Sequence, residues 1–385
     1  MDEPRGAIYL DYAATTPVES EIVNLMGEFL GYEAKFGNPA SRSHYFGQIA
    51  REGVELARDQ VSRLINAEPY QIVWTSGATE SINLAIKGAV RASEGRHIVA
   101  SVLEHHAVLD TCAWLDREGY EVTYVEPNAE GLVTANRIRS ALRSDTALVS
   151  VMHVNNEVGT VTDVGAIGEV IAHHDAVLHV DAAQSTARLP IDVRAFGVDL
   201  LSLSGHKMYG PKGVGALYVR DLDLIEQQMH GGDQEFGLRS GTLPTHQVVG
   251  MGLAAQMITA YPEKAAAVAE LDRRLVERLT AIPRTSINGN PDRRVPGILS
   301  VAFEDVVSEA LMMALQEEVA ISSGSACTSD RVEPSHVLRG LDIDDDLAEC
   351  SVRFSLGRYT TEDEIDRATE RVAQAVNRLR AIREI

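Results

Sequence analysis

Between residues 72 and 219, short uninterrupted apolar runs alternate with stretches of helical periodicity, and this alternation limits the fold more than any other feature of the chain. The apolar runs lie at 72–75, 97–102, 122–125, 147–152, 177–180, 200–203 and 214–219. Helical spacing occupies 79–92, 107–117, 135–142 and 164–173 between them. Strands that are apolar on both faces must be covered on both faces. The pattern therefore predicts an α/β fold with a large, mostly parallel sheet between helical layers. Ligands of such sheets bind beyond the carboxyl ends of the strands. The residues that close each apolar run are thus the first candidates for chemistry.

Flanking segments read differently. Residues 8–17 form a short strand and turn, 35–48 are loop-like, and helical periodicity resumes over 49–64. After residue 248 a helical run extends from 251 to 279, broken at Tyr261-Pro262, followed by a strand-like 298–303 and helices at 308–317 and 361–382. This places a domain boundary near residue 260. A large domain over 15–260 is expected beside a smaller α+β domain made of 1–14 and 261–385. The net charge of −21, from 35 basic and 56 acidic residues, argues against direct nucleic-acid binding. No stretch suits a signal peptide or membrane span, so a cytoplasmic protein with no membrane contact is expected. Cys112, Cys327 and Cys350 are odd in number and widely spaced, which suits neither a disulfide framework nor a zinc site.

The strand ends carry distinctive residues. Lys207 follows the 199–203 run in Ser204-Gly-His-Lys207, where a desolvated, neutral amine would form an imine with a carbonyl. A solvated lysine is the plain alternative. Thr75-Ser-Gly-Ala-Thr-Glu80 opens a helix and suits a phosphate as well as it suits an ordinary cap. His105 closes the next run and suits ring stacking or proton transfer, whereas His106, His173, His174 and His179 give no convincing metal site. Asn156 and Gln184 offer amides, and Asp181 suits a protonated ring nitrogen or a turn cap. Thr79, His105, Asn156, Asp181, Gln184 and Lys207 all fall at predicted strand ends, which points to one shared pocket. Cys327 sits among small residues and reads as accessible, while Cys112 and Cys350 read as structural. Arg353 suits a carboxylate, with a surface ion pair as the plain alternative.

Together these segments resemble the cysteine desulfurases of the NifS/IscS group, among the pyridoxal-phosphate enzymes of aminotransferase class V. The similarity runs in order through Leu10-Asp-Tyr-Ala-Ala-Thr-Thr-Pro17, Phe36-Gly-Asn-Pro-Ala-Ser-Arg-Ser-His44, Thr75 to Glu80, Glu104-His105 and His153-Val-Asn-Asn-Glu157. It continues through His179-Val-Asp-Ala-Ala-Gln184, Ser204 to Lys207, Arg239-Ser-Gly-Thr242, Ser322-Ser-Gly-Ser-Ala-Cys327 and Arg353-Phe-Ser-Leu-Gly357. The resemblance implies the aspartate aminotransferase-like fold (fold type I) and pyridoxal 5'-phosphate carried by Lys207. It further implies that Asp181 meets the ring nitrogen, Gln184 the phenolic oxygen and His105 the ring face. Ala78, Thr79, Ser204 and His206 would hold the phosphate, with Thr242 reaching it from the other subunit of a homodimer. Asn156 and Arg353 would bind the carboxylate of L-cysteine. Cys327 would take the sulfur as a persulfide, release L-alanine and pass the sulfur to an acceptor protein.

Two departures stand out. Asp233 and Phe236 occupy positions where relatives often have glycine and a basic residue, and the sequence ends at Arg383-Glu-Ile385 without the extended tail of housekeeping iron–sulfur members. DNA phosphorothioation is accordingly the preferred pathway expectation, beside iron–sulfur cluster assembly and tRNA thiolation. A class-V aminotransferase or lyase with another substrate, or a noncatalytic sulfur-relay protein on the same fold, are the competing readings.

Overall fold

The computed structural model describes residues 6–33, 35–260, 263–324 and 334–383. A short strand β1 (Ile8–Tyr9) and helices α1 (Ser20–Gly27) and α2 (Tyr45–Leu64) precede the alternating region. That region comprises β2 (Ile72–Thr75), α3 (Ala78–Ala92), β3 (His97–Ser101), α4 (His106–Arg117), β4 (Glu121–Val125) and α5 (Ala135–Ala141). It continues through β5 (Thr146–Met152), α6 (Val164–Ile171), β6 (Val177–Asp181), β7 (Leu200–Ser204) and β8 (Gly215–Val219). Strands β2 to β8 form a seven-stranded sheet in the order β2-β8-β7-β6-β5-β3-β4. Only β8 runs antiparallel to its neighbours. β2 therefore points the same way as β7, and β2, β3, β5, β6 and β7 all end on one edge.

Strand pleat explains why the central runs are apolar throughout. Ile72 and Trp74 face a cluster shared with Val54 and Val61 of α2, whereas Val73 between them faces Ile82 and Ile86 of α3. Leu201 and Leu203 likewise join the first layer, and Leu200 the second. Every residue of β5, β6, β7 and β8 is buried.

Helices α7 (Thr245–Ala260) and α8 (Glu263–Thr280) follow, and the expected break at 261–262 lies outside the described residues. Beyond them come β9 (Thr285–Ile287), β10 (Ile298–Phe303), α9 (Ser308–Leu315), β11 (Val319–Ala320), α10 (His336–Gly340), α11 (Asp345–Glu349), β12 (Ser351–Ser355) and α12 (Glu362–Arg383). β12, β10 and β9 form an antiparallel sheet. Ile365, Ala368, Val372 and Val376 repeat at helical spacing along α12 and pack with Leu275 and Leu279 of α8 against β10. Ile8 and Leu10 belong to this cluster, and β1 pairs in parallel with β11.

Two local expectations are corrected. Helix α2 starts at Tyr45, four residues before the expected 49, because His44 caps it by accepting from the Gly47 amide through Nδ1 at 3.2 Å. β9 is an addition to the expected elements, since its three residues are only half-buried and carry little apolar signal. Among the described residues no helix is long and apolar enough to cross a membrane.

Candidate active site

A cleft of about 560 Å³ opens at the edge where the parallel strands end. Ala78, Thr79, His105, Asn156, Asp181, Gln184, Ser204, His206, Lys207 and Arg353 all line it. Thr242 does not: it is exposed and borders a separate depression with Arg42, Arg58 and Asp233. Cys327 lies outside the described residues. Gly324, which lines the cleft, is the last described residue before it and has φ +88°.

Lys207 ends a single helical turn after β7, and its Nζ donates to the Ala13 and Ala14 carbonyls at 2.5 and 2.8 Å. Asp181 is the last residue of β6, and its Oδ1 accepts from the Ala183 amide at 2.9 Å. Burial raises the Asp181 pKa, opposed by that amide, His105 and Lys207. Its second carboxyl oxygen has no hydrogen-bond partner among the described residues. His105 caps α4, accepting from the Ala107 amide through Nδ1 at 3.0 Å, so its neutral form carries the proton on Nε2. Burial lowers its pKa, favouring that neutral form. His206 is also neutral at physiological pH, its pKa lowered to about 4 by burial and by Lys207 and Lys212. Beneath Asp181, the fully buried Glu104 accepts from the Met152 amide at 2.7 Å through Oε1, and its Oε2 has no partner among the described residues. Burial and the Asp181 charge push its pKa well up.

At one end of the cleft, α3 starts directly after β2. Its cap residue, Gly77, has φ +153° and no side chain caps the helix. The first-turn amides and the helix dipole are therefore available to an anion. Glycine is needed at 215 as well, because a Cβ there would lie 2.6 Å from the Gly77 Cα and from the Leu203 carbonyl. Glu80 fixes this turn, accepting from the Ser76 amide at 2.8 Å and pairing with Arg239 at 2.7 Å.

At the other end, Arg353 of β12 donates to Asp11 Oδ1 at 2.9 Å and to the Asn156 carbonyl at 2.8 Å, while its buried Nε has no partner among the described residues. The ion pair named as the plain alternative for Arg353 is thus present, with Asp11, but it is buried and lies at the cleft and not on the surface. Gln184 donates to the Ala13 carbonyl at 2.8 Å, leaving one amide N–H for another acceptor. Asp11, Ala13, Ala14, Glu104 and Lys212 complete the site beyond the residues expected from sequence. The Leu10 to Pro17 segment and the Pro211-Lys-Gly213 turn are the signals that point to them. His179 is structural: its ring lies between the Ser150 and Ser202 hydroxyls at 2.8 and 2.9 Å.

Comparison with known proteins identifies the family behind this geometry. The aminotransferase class-V family matches residues 8–368. Cysteine desulfurase IscS of Shewanella sp. (strain MR-4) is 54% identical over 378 residues, covering 97% of this chain and 93% of the relative. The chain belongs to the cysteine desulfurases of the class-V aminotransferase family. Among solved structures, a NifS-like protein superposes with a TM-score of 0.90 at 33% identity, covering 96% of this chain and 99% of its own. DndA from Streptomyces lividans superposes with a TM-score of 0.77 at 36% identity, covering 91% and 99%. SspA in complex with cysteine gives 0.81 at 38% identity, covering 92% and 100%. The expected α/β transferase fold is thus the fold of this class-V desulfurase chain.

Proposed function

We propose that this chain converts L-cysteine to L-alanine and carries the released sulfur as a persulfide on Cys327. The observation that carries the reading is the convergence of Lys207, Asp181 and His105 in one cleft of a chain that is 54% identical to an IscS. The cleft suits pyridoxal 5'-phosphate on its own chemistry. Asp181 offers an open carboxyl oxygen to a protonated ring nitrogen, the uncapped start of α3 suits a phosphate, and Lys207 lines the same cleft.

When bound, the cofactor supplies an electron-withdrawing ring that eases bond breaking next to the substrate α-carbon. Asp181 holds the ring-nitrogen proton, and its burial keeps that interaction strong. Lys207 Nζ takes the α-proton. Neutral His105 would face the ring, its Nε2 proton available to the carbon skeleton as the sulfur leaves. Asn156 and Arg353 orient the substrate carboxylate, with Asp11 holding the Arg353 fork in register. Cys327 attacks the substrate sulfur as a thiolate. The carbon–sulfur bond breaks, a sulfur–sulfur bond forms, and the carbon skeleton is protonated to L-alanine. L-cysteine plus the Cys327 thiol gives L-alanine plus the Cys327 persulfide, with no external oxidant.

The same reading makes Thr242 a phosphate contact supplied across a homodimer, consistent with its place away from its own chain's cleft. It also divides the chain into a cofactor lobe over 15–260 and a smaller lobe of 1–14 and 261–385, supported by the separate apolar cluster around β10. Sulfur then passes to an acceptor protein. Iron–sulfur cluster assembly, tRNA thiolation and DNA phosphorothioation are the pathways this sulfur would feed, and the similarity to both IscS and DndA does not rank them. The test is alanine formation from L-cysteine. Cys327→Ser is expected to lose sulfur transfer while keeping cofactor absorbance, and Lys207→Ala to lose both. Unchanged turnover in Cys327→Ser would overturn the assignment.

A further inference from the structure

A second cavity, of about 430 Å³, lies on another side of Lys207. Its described lining contains no aspartate or glutamate, in a chain of net charge −21, and includes the cations Arg188, Lys207, Lys264 and Arg358. Leu64, Leu189, Ile258 and Leu356 supply apolar walls. Arg358 is already committed, pairing with Glu19 at 2.7 Å and stacking on Tyr209 at 3.7 Å. Arg188 is not. Its Nη1 reaches only the Gly297 and Leu356 carbonyls, both at 3.5 Å, the outer limit of a hydrogen bond. No carboxylate pairs with it among the described residues, and Asp272, the carboxylate that acts on it electrostatically, is held by Arg294 at 2.6 Å. A guanidinium has five N–H donors and stays charged when surrounded by protein. Such a group in an acid-free cavity recognises a carboxylate in bidentate fashion.

We infer that this cavity is a second ligand site, which takes a small monocarboxylate with a compact apolar body, its acid group on Arg188 and its body between Ile258 and Leu356. Lys207 forms part of both walls, so the occupant borders the cofactor cleft without entering it.

The test is calorimetric titration of the purified full chain, cofactor-loaded and cofactor-free, with para-bromobenzoate and with para-bromobenzyl alcohol as the uncharged control. The benzoate is expected to bind at least about tenfold tighter than the alcohol in both forms. Arg188→Met should lose that advantage, Arg188→Lys should keep part of it, and Arg353→Gln in the cofactor cleft should leave it unchanged. Equal affinities for acid and alcohol, or loss of binding in Arg353→Gln, would overturn the site. Should Arg188→Met fail to fold, anomalous scattering from bromine in wild-type crystals decides. Bromine beside Ile258 and Leu356 supports the inference, while bromine in the cofactor cleft, or none bound, overturns it.

Discussion

Asp181 and Glu104 are neighbouring carboxyl groups under the cleft, and burial weakens the acidity of both. A carboxyl whose folded pKa is raised binds more protons folded than unfolded. Its contribution to stability is present at low pH and is lost as pH rises from the unfolded value of about 4.3 for Glu through the folded one. Glu104→Gln keeps an acceptor for the Met152 amide and cannot ionise. Its urea midpoint should therefore fall less than that of wild type between about pH 5 and pH 7. Glu104→Ala loses the Met152 contact and leaves a void, and should cost about 2–4 kcal/mol. A wild-type pH slope in Glu104→Gln would show that this carboxyl is ionised in the fold. The residues legible from sequence are those at strand ends, whose side-chain chemistry is distinctive. Ala13 and Ala14 are marked only by the Leu10 to Pro17 resemblance and not by their own chemistry, because they act through backbone carbonyls and any side chain could accompany those. Glu104 is visible in Glu104-His105, but only its burial shows that it sits beneath Asp181.

Among the elements, α2 and β2 are joined by an ion pair removed from water. Arg58 donates to both Glu235 carboxyl oxygens at 2.8 and 2.9 Å, and Glu235 also accepts from the Trp74 amide at 2.7 Å. Removing Glu235 leaves the buried Arg58 with only the half-exposed Glu55 at 3.3 Å to pair with, so Glu235→Gln should destabilise by about 3 kcal/mol in urea unfolding. Replacing both, as Arg58→Met with Glu235→Leu, should recover part of that loss. A double variant as unstable as the sum of the singles would contradict the stranded-charge account. Most central elements are legible because the inner strands are apolar on both faces, whereas edge strand β4 is half-exposed, and the helices covering the sheet show an apolar stripe. The start of α2 is obscured by the Gly-Asn-Ser composition before it, and the reversal of β8 leaves no mark in its composition. Short β9 and helices α10 and α11, the last two set by the Ser335 and Asp344 caps, carry too few apolar residues to register as periodicity.

At the scale of the whole molecule, the parallel strands bring distant segments to one edge, and the rule that ligands bind at the carboxyl edge makes their convergence legible in the amino-acid sequence itself. Thr242 escapes that rule, because its proposed partner is another chain. Thr242→Ala is expected to weaken cofactor retention and Lys207→Ala to be inactive. Mixed after dissociation, the two should regain activity at limiting cofactor that neither shows alone, since each hybrid dimer holds one intact site. No complementation would count against a shared site. Cys327 is proposed to receive the substrate sulfur. Mass spectrometry of the cofactor-loaded protein after addition of L-cysteine, with alanine quantified in the same sample, tests it most directly. The expected result is a Cys327 peptide heavier by one sulfur together with alanine. Loaded protein that forms neither would contradict the desulfurase account and favour another class-V reaction.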